Sequence, residues 1–473
     1  MDVINSRIFR EYDIRGIVGE DLDREVAVSL GRAVGVFVRK KKPDAGHLSV
    51  GRDVRNGSAE LASGIIEGIV STGLDVFDLG TCPTPVQYFS LFHLDLDGGV
   101  MVTGSHNPPE YNGFKISLGK ETIHGDDIQT LKEIILKPER AGSSKCGRVT
   151  NFKILEAYRD YMMREFSYLR DGRFRRLKVV VDAGNGTAGL IAPELFESIN
   201  CEVVRLYCEP DGNFPNHHPD PTVVEYMRDL VAETKKWKAD VGIGYDGDAD
   251  RIGLVNGSGD IVWGDRFMIV LSREVLKQRP GAKIIGDVKC SQTMFDAIGR
   301  YGGVPIMWKT GHSLIKQKMR DEKAVLAGEF SGHIFIGDRY FGYDDAVYAG
   351  LRLVEIMKKT GKDLVELLSG VPQMCSTPEI RIECPEDRKK EIVGKIVAKF
   401  HGYKADGGPR KIEDLNVTDG VRVRFEKGWA LVRSSNTQPV IVVRVEARDE
   451  ESLEDYKSFV EDELRRSVGG VTA

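Results

Sequence analysis

The sequence predicts an α/β protein: three similar mixed-sheet α/β domains followed by a smaller C-terminal α+β domain. Three observations carry that expectation. A strand, polar loop, helix, strand pattern occurs three times, the style of the sequence changes past residue 370, and 473 residues are too many for one hydrophobic core.

The elements follow in chain order. The first unit runs from the strand Leu48-Ser-Val-Gly-Arg-Asp53 through a helix at 59–70 to a strand at 76–79. In the second, Leu177-Lys-Val-Val-Val-Asp182 leads through Gly184-Asn-Gly186 into a helix near 188–199 and a strand at 203–207. In the third, Ala282-Lys-Ile-Ile-Gly-Asp287 leads into a helix at 292–300 and a strand at 304–308. This is the βαβ signature of a mostly parallel sheet, and its recurrence at intervals above one hundred residues indicates separate domains. Gly142-Ser-Ser144, ahead of an amphipathic stretch at 154–166, marks the start of the second domain. Asn256-Gly-Ser-Gly259 breaks the chain again. Past Gly370-Val-Pro372, short strands at 379–382, 420–425, 429–432 and 440–445 flank charged helices at 387–400 and 451–466, which describes an antiparallel sheet with helices. The expected domains are 1–150, 151–255, 256–370 and 371–473.

Composition narrows the function classes. Charged residues are 29% and hydrophobic ones 41%, ordinary for a soluble globular protein. A net charge of −5 gives no pull toward nucleic acid or an anionic membrane. No apolar run has the length of a membrane span, and the charged N-terminus is not a secretory signal. Seven scattered cysteines with no Cys-x-x-Cys suit reduced thiols in a cytoplasm. The expected partner is a small molecule; oligomeric state is not legible.

Three aspartates, Asp246-Gly-Asp248-Ala-Asp250-Arg251, follow the apolar run Val241-Gly-Ile-Gly-Tyr245. Alternate residues of an extended segment face the same way, so the carboxylates should converge. Crowded carboxylates need a cation among them, and Mg²⁺ fits, since it takes few protein carboxylates plus a phosphate oxygen. An EF-hand is excluded, because its required Gly and Glu positions hold Arg251 and Gly257. Gly184-x-Gly186-x-x-Gly189, with Glu209 beyond, has the form of a dinucleotide fingerprint, but any tight strand-to-helix turn favours such glycines. His217-His218 is read as structural, since adjacent residues chelate poorly.

In Thr103-Gly-Ser-His-Asn-Pro-Pro-Glu-Tyr-Asn-Gly-Phe-Lys115 a serine sits between Gly104 and a proline pair. The loop is stiff, presents one hydroxyl, and frees backbone N–H groups to hold an anion. Lys115 could offset phosphate charge or move a proton. A serine-hydrolase elbow is excluded, because Asn107 stands where Gly is needed.

With these two loops the chain resembles the α-D-phosphohexomutase superfamily, most closely its phosphomannomutase/phosphoglucomutase group, over its whole length. The resemblance implies an active site in a central cleft, with Ser105 carrying the phosphoryl group and Mg²⁺ on Asp246, Asp248, Asp250 and the Ser105 phosphate. Gly328-Glu329-Phe-Ser331-Gly-His333 is similar to the family's sugar-binding loop, and Arg433-Ser-Ser435-Asn436-Thr437 to its phosphate-binding loop. Phe9-Arg-Glu-Tyr12-Asp-Ile-Arg15-Gly16 matches the N-terminal signature, with Tyr12 and Arg15 facing ligand, while Lys289 and His312 fall at further substrate contacts. Arg251 stands beside the transferring charge. The implied activity interconverts hexose 1- and 6-phosphates through a phosphoserine enzyme and a hexose 1,6-bisphosphate, which also serves as activator. Lys115 or His333 moves the proton, a choice the sequence leaves open. Mannose or glucose is favoured over glucosamine, whose enzymes usually carry Glu-Gln-Ser-Gly-His. Phosphoglucosamine mutase and, further off, a metal-dependent sugar phosphatase are the alternatives.

Overall fold

The computed structural model describes residues 4–137, 145–436 and 438–468. The expected fold class is present: three α/β units with mixed sheets, then an antiparallel sheet with helices. In the first sheet the order is Ile14–Ile17, Tyr111–Leu118, Gly98–Val102, His47–Arg52, Asp75–Thr81, Val149–Asn151. The four strands from Gly98–Val102 onward run parallel, and Tyr111–Leu118 is antiparallel to both its neighbours. The second sheet runs Ile261–Val262, Ile252–Asn256, Val241–Tyr245, Leu177–Asp182, Cys201–Leu206. The third runs Val304–Trp308, Lys283–Asp287, Leu326–Gly328, Ile334–Ile336. Every pairing in the fourth sheet is antiparallel. Among the described residues no helix is long and apolar enough to cross a membrane.

One continuous apolar core extends from Leu79 to Val371, so the first three units share buried surface. The fourth keeps its own core around Ile396, Phe400, Val443 and Val460. Central strands such as Gly98–Val102 and Val241–Tyr245 are buried at every position, which is why they read as unbroken apolar runs. Their loops then emerge at the carboxyl ends of the strands, where a ligand can reach them.

Three expectations about elements need correction, and one strand was missed. The helix expected at 188–199 is a short 3₁₀ turn Thr187–Leu190 followed by an α-helix Ala192–Ser198. Pro193 lacks the N–H that a helix interior requires, so the helix can only begin there. The turn at 256–259 is a hairpin inside the second sheet, pairing Val255 with Ile261, so that sheet runs past the break expected at 255. The segment 246–250 is a turn rather than extended backbone, with Ala249 at φ 60°. The strand Tyr111–Leu118 was not expected at all. It carries Lys115, which is 2% exposed. The boundary segment at 142–144 lies outside the described residues.

Candidate active site

Asp246 ends the strand Val241–Tyr245 and closes the turn beyond it. Its Oδ1 accepts the backbone N–H of Asp250 and of Arg251, both at 3.1 Å. That closure brings carboxylate oxygens of Asp246, Asp248 and Asp250 within 4.8 Å of one another, all fully buried. Lys115 Nζ donates to Asp248 Oδ2 at 2.8 Å and also to Asp250 Oδ2. Thr84 Oγ1 donates to Asp248 Oδ2 at 2.5 Å. Burial, with Asp248 and Asp250 alongside, pushes the Asp246 carboxyl well up. Burial also opposes ionisation of Asp248, but Lys115 and Thr84 outweigh it and hold that group low. Oδ1 of Asp248 and of Asp250 make no hydrogen bond although buried. Three carboxylates with such oxygens suit a hard divalent cation.

Ser105 meets this cluster from the first sheet. Its Oγ donates to Asp246 Oδ2 at 2.8 Å, and its backbone adopts a left-handed φ of 49°. A non-glycine residue in that region is held by its surroundings. Arg55 does the holding. Its guanidinium donates to the carbonyls of Ser105 at 2.6 Å, Pro108 at 2.6 Å and Tyr111 at 3.0 Å, and to that of Asn107. Asp53 pairs with Arg55 at 3.3 Å and accepts the Gly104 N–H at 3.2 Å. Arg15 supports the same loop from the other side, donating to Asn107 Oδ1 at 2.8 Å and pairing with Asp13 at 2.7 Å. Sequence reasoning missed Arg55, because an arginine next to a strand end reads as a solvated residue.

The hairpin between Leu326–Gly328 and Ile334–Ile336 presents Glu329, Ser331 and His333. Glu329 Oε1 accepts the Gly311 N–H and its Oε2 the Ser331 hydroxyl, both at 3.0 Å. Burial, and Asp287 nearby, raise its pKa. His333 Nε2 accepts from Arg251 Nε at 3.0 Å, which joins the loop from Glu329 to His333 to the aspartate turn. His312 stacks on His333 with ring centroids 5.7 Å apart; burial and Lys316 hold it well below the usual imidazole range. Lys289 is engaged with Glu379 at 2.9 Å.

The fourth unit contributes Arg433, Ser435 and Asn436. Arg433 Nε donates to Asp419 Oδ2 at 2.9 Å, while its Nη2 is buried without a hydrogen-bond partner. Lys389, also missed from the sequence, shapes the loop by donating to the Ser435 carbonyl at 2.5 Å and the Gln438 carbonyl at 3.1 Å. Tyr12 ties three units together: its hydroxyl donates to the Thr310 carbonyl at 2.9 Å and accepts from Asn436 Nδ2. Thr437 lies outside the described residues.

The structure also accounts for the glycine fingerprint. A Cβ at Gly186 would lie 2.7 Å from the Gly247 carbonyl and one at Gly189 2.0 Å from the Cys208 carbonyl. Both glycines are consumed by backbone packing, the first against the aspartate turn itself. His217 pairs with Asp182 at 3.0 Å and His218 with the His106 carbonyl, so both histidines brace loops.

Comparison with known proteins adds an independent line. Four family models match in chain order: phosphoglucomutase/phosphomannomutase alpha/beta/alpha domain I over residues 6–141, domain II over 156–259, domain III over 263–375, and the C-terminal domain over 379–463. A phosphomannomutase/phosphoglucomutase of Pseudomonas aeruginosa is 46% identical over 462 residues, covering 97% of this chain and 96% of that protein. A phosphoglucomutase of Neisseria gonorrhoeae is 40% identical over 455 residues, 96% of each. The crystal structure of a phosphoglucomutase/phosphomannomutase family protein from Burkholderia thailandensis superimposes with a TM-score of 0.89 at 40% identity, over 99% of both chains.

Proposed function

The chain belongs to the phosphoglucomutase/phosphomannomutase family, and from that premise we propose that it interconverts hexose 1-phosphates and 6-phosphates of mannose and glucose by way of phosphoserine at residue 105. One observation carries the reading: Ser105 Oγ is 2.8 Å from Asp246 Oδ2, which puts a rigidly held hydroxyl against a cluster of buried carboxylates. Asp246, Asp248, Asp250 and a Ser105 phosphate oxygen would hold Mg²⁺, which when bound offsets the negative charge of the phosphoryl group.

In the forward half-reaction the bond from Ser105 Oγ to phosphorus breaks and a bond from the free sugar hydroxyl to the same phosphorus forms. The product is a hexose 1,6-bisphosphate. Its hydroxyl proton goes to His333 Nε2. Of the two candidates left open by the sequence, Lys115 is held as an ammonium by Asp248 and Asp250, against the pull of burial, and has no lone pair. His333 Nε2 has one, because it accepts from Arg251. Arg251 would leave that nitrogen and turn to the phosphoryl oxygens as substrate arrives. The bisphosphate then turns over, and its other phosphate returns to Ser105, so the net change is isomerisation. Arg433, Ser435, Asn436 and Thr437 hold the phosphate that is not reacting. Glu329 and Ser331 take sugar hydroxyls, with Lys289, His312, Tyr12 and Arg15 around the ligand. All seven cysteines are unpaired, in keeping with a cytoplasmic enzyme.

A coupled assay with mannose, glucose and glucosamine 1-phosphates, primed with the 1,6-bisphosphate, tests the proposal. Mannose and glucose substrates should yield 6-phosphates fastest. Glucosamine turning over fastest would transfer the assignment to phosphoglucosamine mutase, and net release of inorganic phosphate would make the protein a phosphatase.

A further inference from the structure

Asp344, which no motif singled out, lies fully buried behind the sugar loop. Its Oδ2 is 3.1 Å from His333 Nδ1, a charge contact in which neither atom completes a hydrogen bond, and its Oδ1 accepts from Lys316 Nζ at 3.1 Å. Lys316 in turn lies over the Tyr88 ring, 4.1 Å from its centroid. The His333 ring is held between His312 and Phe335, with centroid distances of 5.7 and 6.2 Å and planes within 30° of parallel. A ring so packed presents Nε2 to Arg251 and Nδ1 to the carboxylates.

We propose that Asp344 is a positioning residue that keeps the His333 proton on Nδ1 and leaves Nε2 its lone pair for the sugar hydroxyl. The inference rests on the reading of His333 as the base. A guanidinium N–H can only donate, so the 3.0 Å contact from Arg251 Nε requires an unprotonated Nε2 and places the ring proton on Nδ1. Facing Nδ1 are two carboxylates, Asp344 at 3.1 Å and Asp250 at 3.5 Å. Asp250 is also bonded to Lys115 and belongs to the carboxylate cluster, so its oxygens have other work. Asp344 is free of that cluster. Its negative charge, 3.1 Å from Nδ1, favours the proton on that nitrogen and stabilises the imidazolium that forms when the second proton arrives.

The same atoms admit a rival reading. Asp250, His333 and Asp344 could supply ligands to a metal ion of their own. Charge argues against it. Lys316 already pairs with Asp344, Arg251 lies on the far nitrogen of His333, and Asp250 belongs to the three-aspartate cluster, so these three residues do not make a second metal site.

Asp344→Asn separates these ideas, being isosteric. Its amide oxygen would face Lys316 and its NH₂ would face His333 Nδ1, which drives the proton to Nε2 and removes the base. The expected result is a fall in kcat of about 10²–10⁴-fold, the usual range for losing acid–base catalysis, on mannose and glucose 1-phosphates alike. KM should stay within about threefold, since no substrate contact is lost. His333→Gln, run beside it, tests the underlying reading. If His333→Gln keeps wild-type turnover, that reading fails. If His333→Gln is inactive while Asp344→Asn keeps its kcat, the reading stands and the positioning role fails. A joint loss of kcat and rise of KM in Asp344→Asn would indicate a merely structural residue and would also overturn it. Nitrogen NMR of ¹⁵N-histidine-labelled wild type decides the matter without any variant having to fold: Nδ1–H with a bare Nε2 at His333 is expected, and Nε2–H would overturn the proposal.

Discussion

Ser105 Oγ donates to Asp246 Oδ2 at 2.8 Å, across 141 residues of sequence and between two different sheets. The hydroxyl and the carboxylate cluster are therefore assembled by domain packing, and each can be tested apart from the other.

Ser105→Ala should abolish turnover and leave the fold intact, because the loop is held by Arg55 through backbone carbonyls and not through the hydroxyl. Intact-mass analysis should find phosphate on the wild type and none on the variant. Wild-type turnover in Ser105→Ala would end the phosphoserine mechanism.

Arg55→Met tests the staple. It removes a donor from four carbonyls and leaves Asp53 without its buried ion-pair partner. Breaking a buried pair in this way costs about 3–5 kcal/mol, to be read from urea unfolding, and Ser105 phosphorylation should fall with it. A variant as stable as wild type would show that the loop holds its own shape.

Asp248→Asn should weaken Mg²⁺ binding and lower turnover by orders of magnitude, since one of three ligand charges goes. Excess Mg²⁺ should restore part of the rate. Activity that survives exhaustive chelation would refute the metal assignment.

Arg433→Ala should raise KM for 1- and 6-phosphates alike, because one clamp must accept either end of a sugar that turns over. Loss of a charge-assisted phosphate contact is worth about 1.5–3 kcal/mol, or about ten- to a hundredfold in affinity. Titration of both substrates checks it, and unchanged KM for both would move the clamp elsewhere.

Asp345 gives a pH test of stability. Burial pushes its carboxyl up to about 6 from an ordinary 3.8, despite hydrogen bonds from the Tyr348 N–H and the Tyr158 and Tyr340 hydroxyls. An acid whose pKa is raised on folding stabilises the protonated fold. That contribution is complete below 3.8, declines as pH rises, and is lost above about 6, a swing of about 3 kcal/mol. Asp345→Asn should therefore gain stability relative to wild type as pH rises through this window. Denaturation at pH 4 and pH 7 would measure the difference, and a pH-independent difference would contradict it.

The sequence by itself determined the fold class. Periodicity and glycine placement are local, so three α/β units were legible, as were the Ser105 loop, the aspartate turn, the loop from Glu329 to His333 and the loop at Arg433. The dinucleotide fingerprint could be doubted but not explained, since the atoms that Gly186 and Gly189 approach, the carbonyls of Gly247 and Cys208, are distant in the chain. Tertiary structure alone decided how charges are used. Arg55, Lys389, Lys316 and Asp344 look like ordinary surface residues in a string of letters. Each is buried, and each acts through a partner that no spacing rule connects to it. A buried charge is tolerable only where its partners converge, and convergence is a property of the packed domains. The difference in setting between Lys115 and His333 belongs to the same class: two carboxylates hold one as an ammonium, and the other accepts from Arg251, on contacts that exist only once the sheets have come together.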